Sequence, residues 1–280
     1  MCDLAVDAKA LVTSLASKDA TLVISPHITY ELARTFRGKR PTRDTQGIKL
    51  FSCMKAFLDL DMPCSKELME LLHEEAFAYE QGKTTIDPLL DAADRGTVSE
   101  EVNKLANGIV EGRVGEFITK RTQHAKDTRA AQADHLTHTQ ATKTILLQVP
   151  ESQLSSWLKS QAITSSGAEI LRSHLLRIFG PGPTPEYALA LLNSPVGRAA
   201  RALVRADLYY NWRCAHRGSN PPDLMDDMLH VLQAIYCDVY TTADEKQSEY
   251  AILLLDPQTR VAICDRKTPI DLWLQSLARA

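Results

Sequence analysis

Short runs of β-branched and apolar residues lie near both ends of the chain, and helical patterns separate them. Strands are predicted at residues 21–25, 239–242 and 259–264. Helices are predicted at residues 3–17, 26–37, 220–235 and 244–255, and a last one begins at Ile270. Strands that alternate with helices predict a parallel sheet whose two faces are covered by helices.

The middle of the chain carries almost no strand pattern. Apolar residues recur with helical spacing at residues 47–60, 65–79, 98–135, 151–161, 168–179 and 185–212. The predicted domain organisation is therefore a discontinuous α/β core, made of residues 1–43 and 218–280. A helical insertion at residues 44–217 separates its two parts.

Composition excludes several classes of protein. The 280 residues are 44% hydrophobic and 24% charged, which is typical of a globular chain and excludes a wholly disordered one. The net charge of −3 provides no global positive field, so contacts to nucleic acid require local basic patches. Apolar runs are too short to span a bilayer, so no membrane partner is expected. The six cysteines form no C-x-x-C pair and the start resembles no signal peptide, which favours a cytoplasmic protein with reduced thiols.

Acidic residues stand where the predicted strands end. Glu31 lies in the helix after the first strand, and Asp244 directly follows the strand at 239–242. Asp223 and Asp227 are four positions apart and share one face of a helix. Sites in parallel sheets form beyond the carboxyl ends of strands, where these four carboxylates would meet. Carboxylates gathered in one site need a hard cation, so Mg²⁺ or Mn²⁺ is the predicted cofactor.

The segments that carry these acids resemble PIN-domain nucleases. Residues 24–32 (ISPHITYEL) are similar to the passage from strand to helix that bears a site glutamate in that family. Residues 227–230 (DMLH) and 234–244 (AIYCDVYTTAD) resemble its acid-bearing helix, its strand and its terminal Thr-x-Asp. The resemblance covers about 90 residues.

The resemblance implies a PIN-like three-layer α/β/α fold with a short parallel sheet, to which this chain adds the large helical insertion. It implies that Glu31, Asp227 and Asp244 are catalytic acids that bind the metal. Asp223, on the same helix face as Asp227, is a further candidate metal ligand from its spacing alone. The implied activity is Mg²⁺- or Mn²⁺-dependent hydrolysis of single-stranded RNA by an endoribonuclease.

One element of the family pattern is missing from the printed sequence. PIN domains begin with a strand that ends in an aspartate, usually as L-D-T-N, whereas residues 1–4 have the pattern of the helix that follows that strand. Either the chain starts downstream of the true first strand or the protein lacks it, and Asp3 is a weak substitute. The alternative function is therefore a catalytically inactive PIN-like module that binds nucleic acid or protein.

Two basic segments are candidates for RNA contacts. Arg34, Arg37, Lys39 and Arg40 follow the helix of Glu31 and would flank the acids. Arg198, Arg201 and Arg205 share one helix face and precede Tyr209, Tyr210 and Trp212. Guanidinium groups bind phosphates and aromatic rings stack on unpaired bases, so this mixture suits single-stranded RNA. A solvated arginine face beside core aromatics is an equal alternative.

An acidic block lies between the basic segments. Residues 59–102 contain twelve acids and three bases, and Glu67, Glu70, Glu74 and Glu75 are predicted to form one charged helix side. The simpler interpretation is a solubilising face. The other is that the block docks against basic segments and restricts access to the site. Assembly with a second copy or with a regulatory protein is compatible with either.

Overall fold

The computed structural model describes residues 8–25, 55–106, 140–218, 224–242 and 244–263. Its helices are α1 (Ala8–Ala16), α2 (Leu68–Glu80), α3 (Ala92–Ala106), α4 (Gln140–Leu147), α5 (Leu154–Gln161), α6 (Ser165–Phe179), α7 (Pro185–Asn193), α8 (Arg198–Arg217), α9 (Leu224–Leu232) and α10 (Glu245–Leu254). Its strands are β1 (Val239–Thr242) and β2 (Arg260–Ile263). The described part is thus mostly helical with a short parallel sheet, which confirms a mixed α/β class.

The contacts divide the chain into two compact units. The first unit comprises residues 1–66, 89–125 and 264–280, and the second comprises residues 67–88 and 126–263. The boundary predicted between residues 217 and 218 therefore falls inside the second unit. The reason is that α8, at the end of the predicted insertion, packs against both α9 and α10, which belong to the predicted α/β core.

In the first unit, the predicted strand at 21–25 contributes a single bridge. Ile24 pairs in parallel with Cys64, and Ser65 pairs in antiparallel with Leu89. The Ile24 N–H donates to Pro63 and the Ser65 N–H donates to Ile24. Among the described residues this segment is therefore extended but does not form a full strand of a sheet.

The second unit is built around α8. This helix of 20 residues contacts every other helix that the structure describes in the unit, namely α2, α4, α5, α6, α7, α9 and α10. Its buried positions include many alanines, which allow neighbouring helices to approach closely. Trp212 is buried, and its Nε1–H donates to the Val149 carbonyl at 2.9 Å. Trp212 is therefore part of the core.

The helical pattern at 185–212 is formed by two helices, α7 and α8, which are separated by a short link. Pro195 lies in the link between α7 and α8, and proline has no N–H to continue a helix. Gly197 is the N-cap of α8, and a Cβ there would lie 2.1 Å from the carbonyl oxygen of Leu191. The chain therefore turns at a place where only glycine fits.

A β–α–β unit follows α9, as the sequence predicts. Strands β1 and β2 are parallel neighbours, with Val239 opposite Arg260 and Thr242 opposite Ile263. Helix α10 connects the end of β1 to the start of β2, which is the long crossover that a parallel pair requires. The predicted strands at 239–242 and 259–264 and the helix at 244–255 are confirmed to within a residue or two at each end.

One of the four glutamates predicted to form the charged side of α2, Glu75, is buried in the core. Glu75 is fully buried, because it lies on the same face as Leu68, Leu71 and Leu72. Its carboxylate accepts hydrogen bonds from the Ala199 N–H at 2.5 Å and from the Ala200 N–H at 2.9 Å. These amides belong to the first turn of α8, whose N-cap Gly197 has no side chain to bind them. Glu75 therefore caps α8 from another helix.

Tyr236 joins the same cap. Its Oη lies 2.5 Å from Glu75 Oε1 and 2.8 Å from the Val196 carbonyl oxygen, and its ring lies beneath the Arg198 guanidinium. Burial, above all, and the neighbouring Glu75 carboxylate raise the pKa of Tyr236, so the phenol keeps its proton. Burial raises the pKa of Glu75 from 4.5 to about 7, although its hydrogen bonds and Arg201 act in the opposite direction.

We predict that Glu75 makes the stability of the protein depend on pH. The folded state holds its proton more tightly than the unfolded chain, so this stabilisation is complete below about pH 4.5 and is lost as the pH rises through about 7. The difference in free energy of unfolding between wild type and Glu75→Gln should fall by about 3 kcal/mol across that window. Urea unfolding followed by circular dichroism at several pH values measures it.

Glu74→Gln is the matched control, since Glu74 is one residue earlier on α2 and is partly exposed. It should retain the pH dependence of the wild type. A difference between wild type and Glu75→Gln that stays constant from pH 4.5 to 8 would contradict the prediction.

Candidate functional site

Asp244 lies at the carboxyl end of β1, where the sequence places it. It is the N-cap of α10, and its Oδ1 accepts hydrogen bonds from the N–H groups of Lys246 at 2.8 Å and Gln247 at 3.3 Å. Its own N–H donates to Thr242 Oγ1 at 3.0 Å. These bonds fix the position of the exposed carboxylate, and both cap bonds use the same one of its two oxygens.

The first turn of α10 is held to β1 by side chains. Tyr240 Oη and Thr242 Oγ1 each donate to Gln247 Oε1 at 3.1 Å. Burial, mainly, raises the pKa of Tyr240 to about 12, and the Asp244 and Asp227 carboxylates add to the shift. Tyr240 therefore stays neutral at physiological pH.

Asp227 lies on α9 and is partly exposed. Its charge reaches the Tyr240 hydroxyl and also that of Tyr250, whose pKa is raised mainly by burial and further by Asp227, Glu249 and Asp244. Two of the predicted acids, carried by different elements, therefore act on the same two phenols. We define this region, made of Asp227, Tyr240, Asp244 and Tyr250, as the strand-end site.

The remaining predicted site acids, Glu31 and Asp223, lie outside the described residues, as do Arg34, Arg37, Lys39 and Arg40. Within residues 8–25, 55–106, 140–218, 224–242 and 244–263, no group of three or more His, Cys, Asp or Glu residues is arranged to hold a metal ion. Asp227 and Asp244 offer the carboxylate oxygens that Mg²⁺ and Mn²⁺ prefer. These two acids fit such an ion only as part of a set that includes a further ligand, the role predicted for Glu31.

The three arginines of α8 have a different environment from the one predicted. All of them converge on Asp256, whose side chain is 7% exposed. Arg205 Nη1 lies 2.8 Å from Asp256 Oδ1, Arg201 Nη2 lies 3.3 Å from Oδ2, and Arg198 Nε lies 3.8 Å from Oδ2. Arg205 is itself 5% exposed and also donates to the Leu254 carbonyl. We call this group the arginine clamp.

The arginine clamp lies at the opposite end of the strands from Asp244. Arg198 donates to Thr259 Oγ1 at 3.4 Å, and Thr259 immediately precedes β2. Because β1 and β2 are parallel, their amino ends coincide, and a strand of four residues spans roughly 13 Å. Arg198, Arg201 and Arg205 therefore do not flank the strand-end site. They anchor the loop before β2 to α8. This structural role is neither the nucleic-acid contact nor the solvated face that the sequence suggested.

Sequence reasoning missed Asp256, Glu75 and Tyr236 because their roles depend on distant partners. A signal for the clamp exists in the first half of α8, where residues 199–206 are alanine, leucine and valine apart from the arginines. An arginine row in such a helix is expected to be buried and to require an acidic partner.

Searches of protein-family models, curated proteins and solved structures find no match to this chain. The resemblance to PIN domains consequently rests on the residues quoted above. None of the helices in the described ranges combines the length and the apolar character needed to cross a bilayer.

We predict that Asp256→Asn strongly destabilises the protein. The substitution removes the carboxylate that three largely buried guanidinium groups share, and breaking a buried ion pair typically costs about 3–5 kcal/mol of unfolding free energy. Asp238→Asn is the matched control, because Asp238 is exposed at the same end of the sheet and should change stability by about 0.5 kcal/mol or less. Urea denaturation of both variants measures the effect, and equal stabilities would show that the clamp carries no stabilising role.

Proposed function

We propose that this chain is a PIN-like, metal-dependent endoribonuclease that hydrolyses single-stranded RNA. The observation that supports the proposal is the exposed Asp244 directly after the carboxyl end of β1, together with the partly exposed Asp227 on α9, the helix that packs against α10. Carboxylates carried by separate elements and gathered at a strand end are typical of cation-dependent sites in parallel α/β folds. The family resemblance supplies the third acid, Glu31, and the spacing of four residues from Asp227 adds Asp223 as a further candidate ligand.

In this proposal Glu31, Asp227 and Asp244 hold Mg²⁺ or Mn²⁺, which supplies an activated water and neutralises charge on the scissile phosphate. The surrounding structure holds the carboxylates in position. Asp244 is held by its cap on α10, and Asp227 is carried by the rigid turn of α9. Tyr240 keeps its proton and so adds no competing negative charge beside the phosphate.

The basic residues that would bind RNA are those near Glu31. The arginine clamp is engaged with Asp256 at the other end of the strands, so it supplies no cation to the strand-end site. The proposal therefore assigns contacts with the phosphate backbone to Arg34, Arg37, Lys39 and Arg40, which follow the Glu31 helix in sequence.

The proposal predicts that Asp227→Asn lowers the rate of cleavage of unstructured RNA by roughly a hundredfold or more in Mg²⁺ or Mn²⁺, because a metal ligand is lost. A fluorescent oligonucleotide resolved on a denaturing gel measures the rate. Asp238→Asn, which makes the same chemical change at the opposite end of β1, should cleave as the wild type does. Cleavage at the wild-type rate by Asp227→Asn would remove the assignment.

A catalytically inactive PIN-like binding module is the second candidate. It is favoured by the Asp244 cap, which commits one carboxylate oxygen to the N–H groups of α10 and leaves fewer oxygens for a cation. Fluorescence polarisation with the same oligonucleotide distinguishes the two functions. Binding that is equal in Mg²⁺ and in EDTA, with no cleavage in either, identifies the binding module.

A further inference from the structure

Helix α2 displays a row of exposed side chains that includes two large apolar ones. Met69, His73 and Phe77 are four positions apart, so they follow one another along one face. Met69 is 43% exposed and Phe77 is 52% exposed. Phe179, at the end of α6, is 41% exposed and stacks on His73 with ring centroids 5.3 Å apart. These four residues form a continuous surface, which we call the α2 face.

The α2 face is not needed to attach the helix to its unit. The opposite side of α2 supplies the buried contacts of Leu68, Leu71, Leu72 and Ala76, together with the Glu75 cap. Exposed apolar side chains that touch one another and take no part in the core are characteristic of surfaces that bind other molecules.

Acidic residues run beside the α2 face. Glu67, Glu70 and Glu74 recur at spacings of three and four, so they form a row next to that of Met69, His73 and Phe77. Glu70 is exposed, and its carboxylate accepts the Glu67 N–H at 2.7 Å in a capping box, which fixes its position. The surface therefore combines an apolar stripe with a negatively charged flank.

We infer that the α2 face docks an amphipathic helix of a partner protein that carries lysines or arginines beside its apolar stripe. The apolar row and Phe179 match the anchors of a helix laid along a hydrophobic surface. The glutamate row is complementary to the basic flank of that helix and selects its orientation. A second copy packed antiparallel would place acid against acid, and an anionic membrane would be repelled by the same row.

This inference does not depend on the proposed nuclease activity, because it concerns α2 and α6 and uses no residue of the strand-end site. It extends the interpretation of the acidic block at residues 59–102 as a docking surface. The structure divides that helix into one buried acid, Glu75, and an outer row with Glu70 at its centre.

The test uses the full chain and a synthetic 18-residue peptide that has leucines on one helical face and lysines beside them. Fluorescence polarisation at moderate salt measures its binding. Phe77→Ser should weaken the affinity by about tenfold, because an exposed ring is lost that the peptide would bury. Ile252→Ser is the matched control, since Ile252 is 56% exposed on α10 and its loss should leave the affinity unchanged.

A second peptide, with glutamates in place of the lysines, should bind at least about tenfold more weakly than the lysine peptide. Met69→Ser provides an independent variant on the same row and should also weaken binding. Equal affinity of wild type and Phe77→Ser, or equal affinity for the two peptides, would overturn the inference. Light scattering that reveals a Phe77-dependent dimer, or Phe77-dependent sedimentation with phosphatidylserine vesicles, would overturn it in favour of a second copy or a membrane.

Discussion

The buried carboxylate of Glu75 is the contact on which the second unit depends. Helix α8 contacts the other described α-helices of that unit, and its first turn presents backbone N–H groups in a buried region. The chain enters this turn through Gly197, which fits the close approach to Leu191 but offers no side chain to accept those bonds. The Glu75 carboxylate on α2 accepts these N–H groups instead, and the positive end of the helix dipole favours an acid at this position. Tyr236 then ties the segment before β1 to the same group.

The parallel β–α–β unit separates two kinds of charge. At the amino ends of the strands, Asp256 is matched by arginines of α8 and is buried. At the carboxyl end of β1, Asp244 is exposed and caps α10, while Asp227 on α9 is partly exposed. Because both strands run in the same direction, the two ends of the pair are chemically distinct, and the structural charges can be neutralised without involving the strand-end site.

Local patterns predict the β–α–β unit well. The run of β-branched and aromatic residues at 239–242 and the helical pattern that follows it predict β1 and α10 to within a residue or two, since both depend on neighbours in sequence. The strand-end rule correctly predicts Asp244 at the carboxyl end of β1, whereas the convergence of Asp227 with Asp244 in one site stays a prediction. The break between α7 and α8 was missed although Pro195 and Gly197 lie there, because the apolar periodicity continues across it. The roles of Glu75 and Arg205 could not be predicted, because their partners Ala199 and Asp256 lie 124 and 51 positions away.

The cap on α8 also constrains the order in which the chain can fold during synthesis. Glu75, whose carboxylate accepts the bonds of the cap, is synthesised first. Helix α8 follows more than a hundred residues later, and Tyr236 and Asp256 come later still. Until residue 256 has left the ribosome, α8 carries arginines without their acid, and its alanine-rich surface lacks its last neighbours. Contacts of such sequence separation slow folding, because long loops must close before any contact is gained. A nascent chain halted between α8 and β2 would therefore expose the interior of this unit to chaperones for as long as the halt lasts.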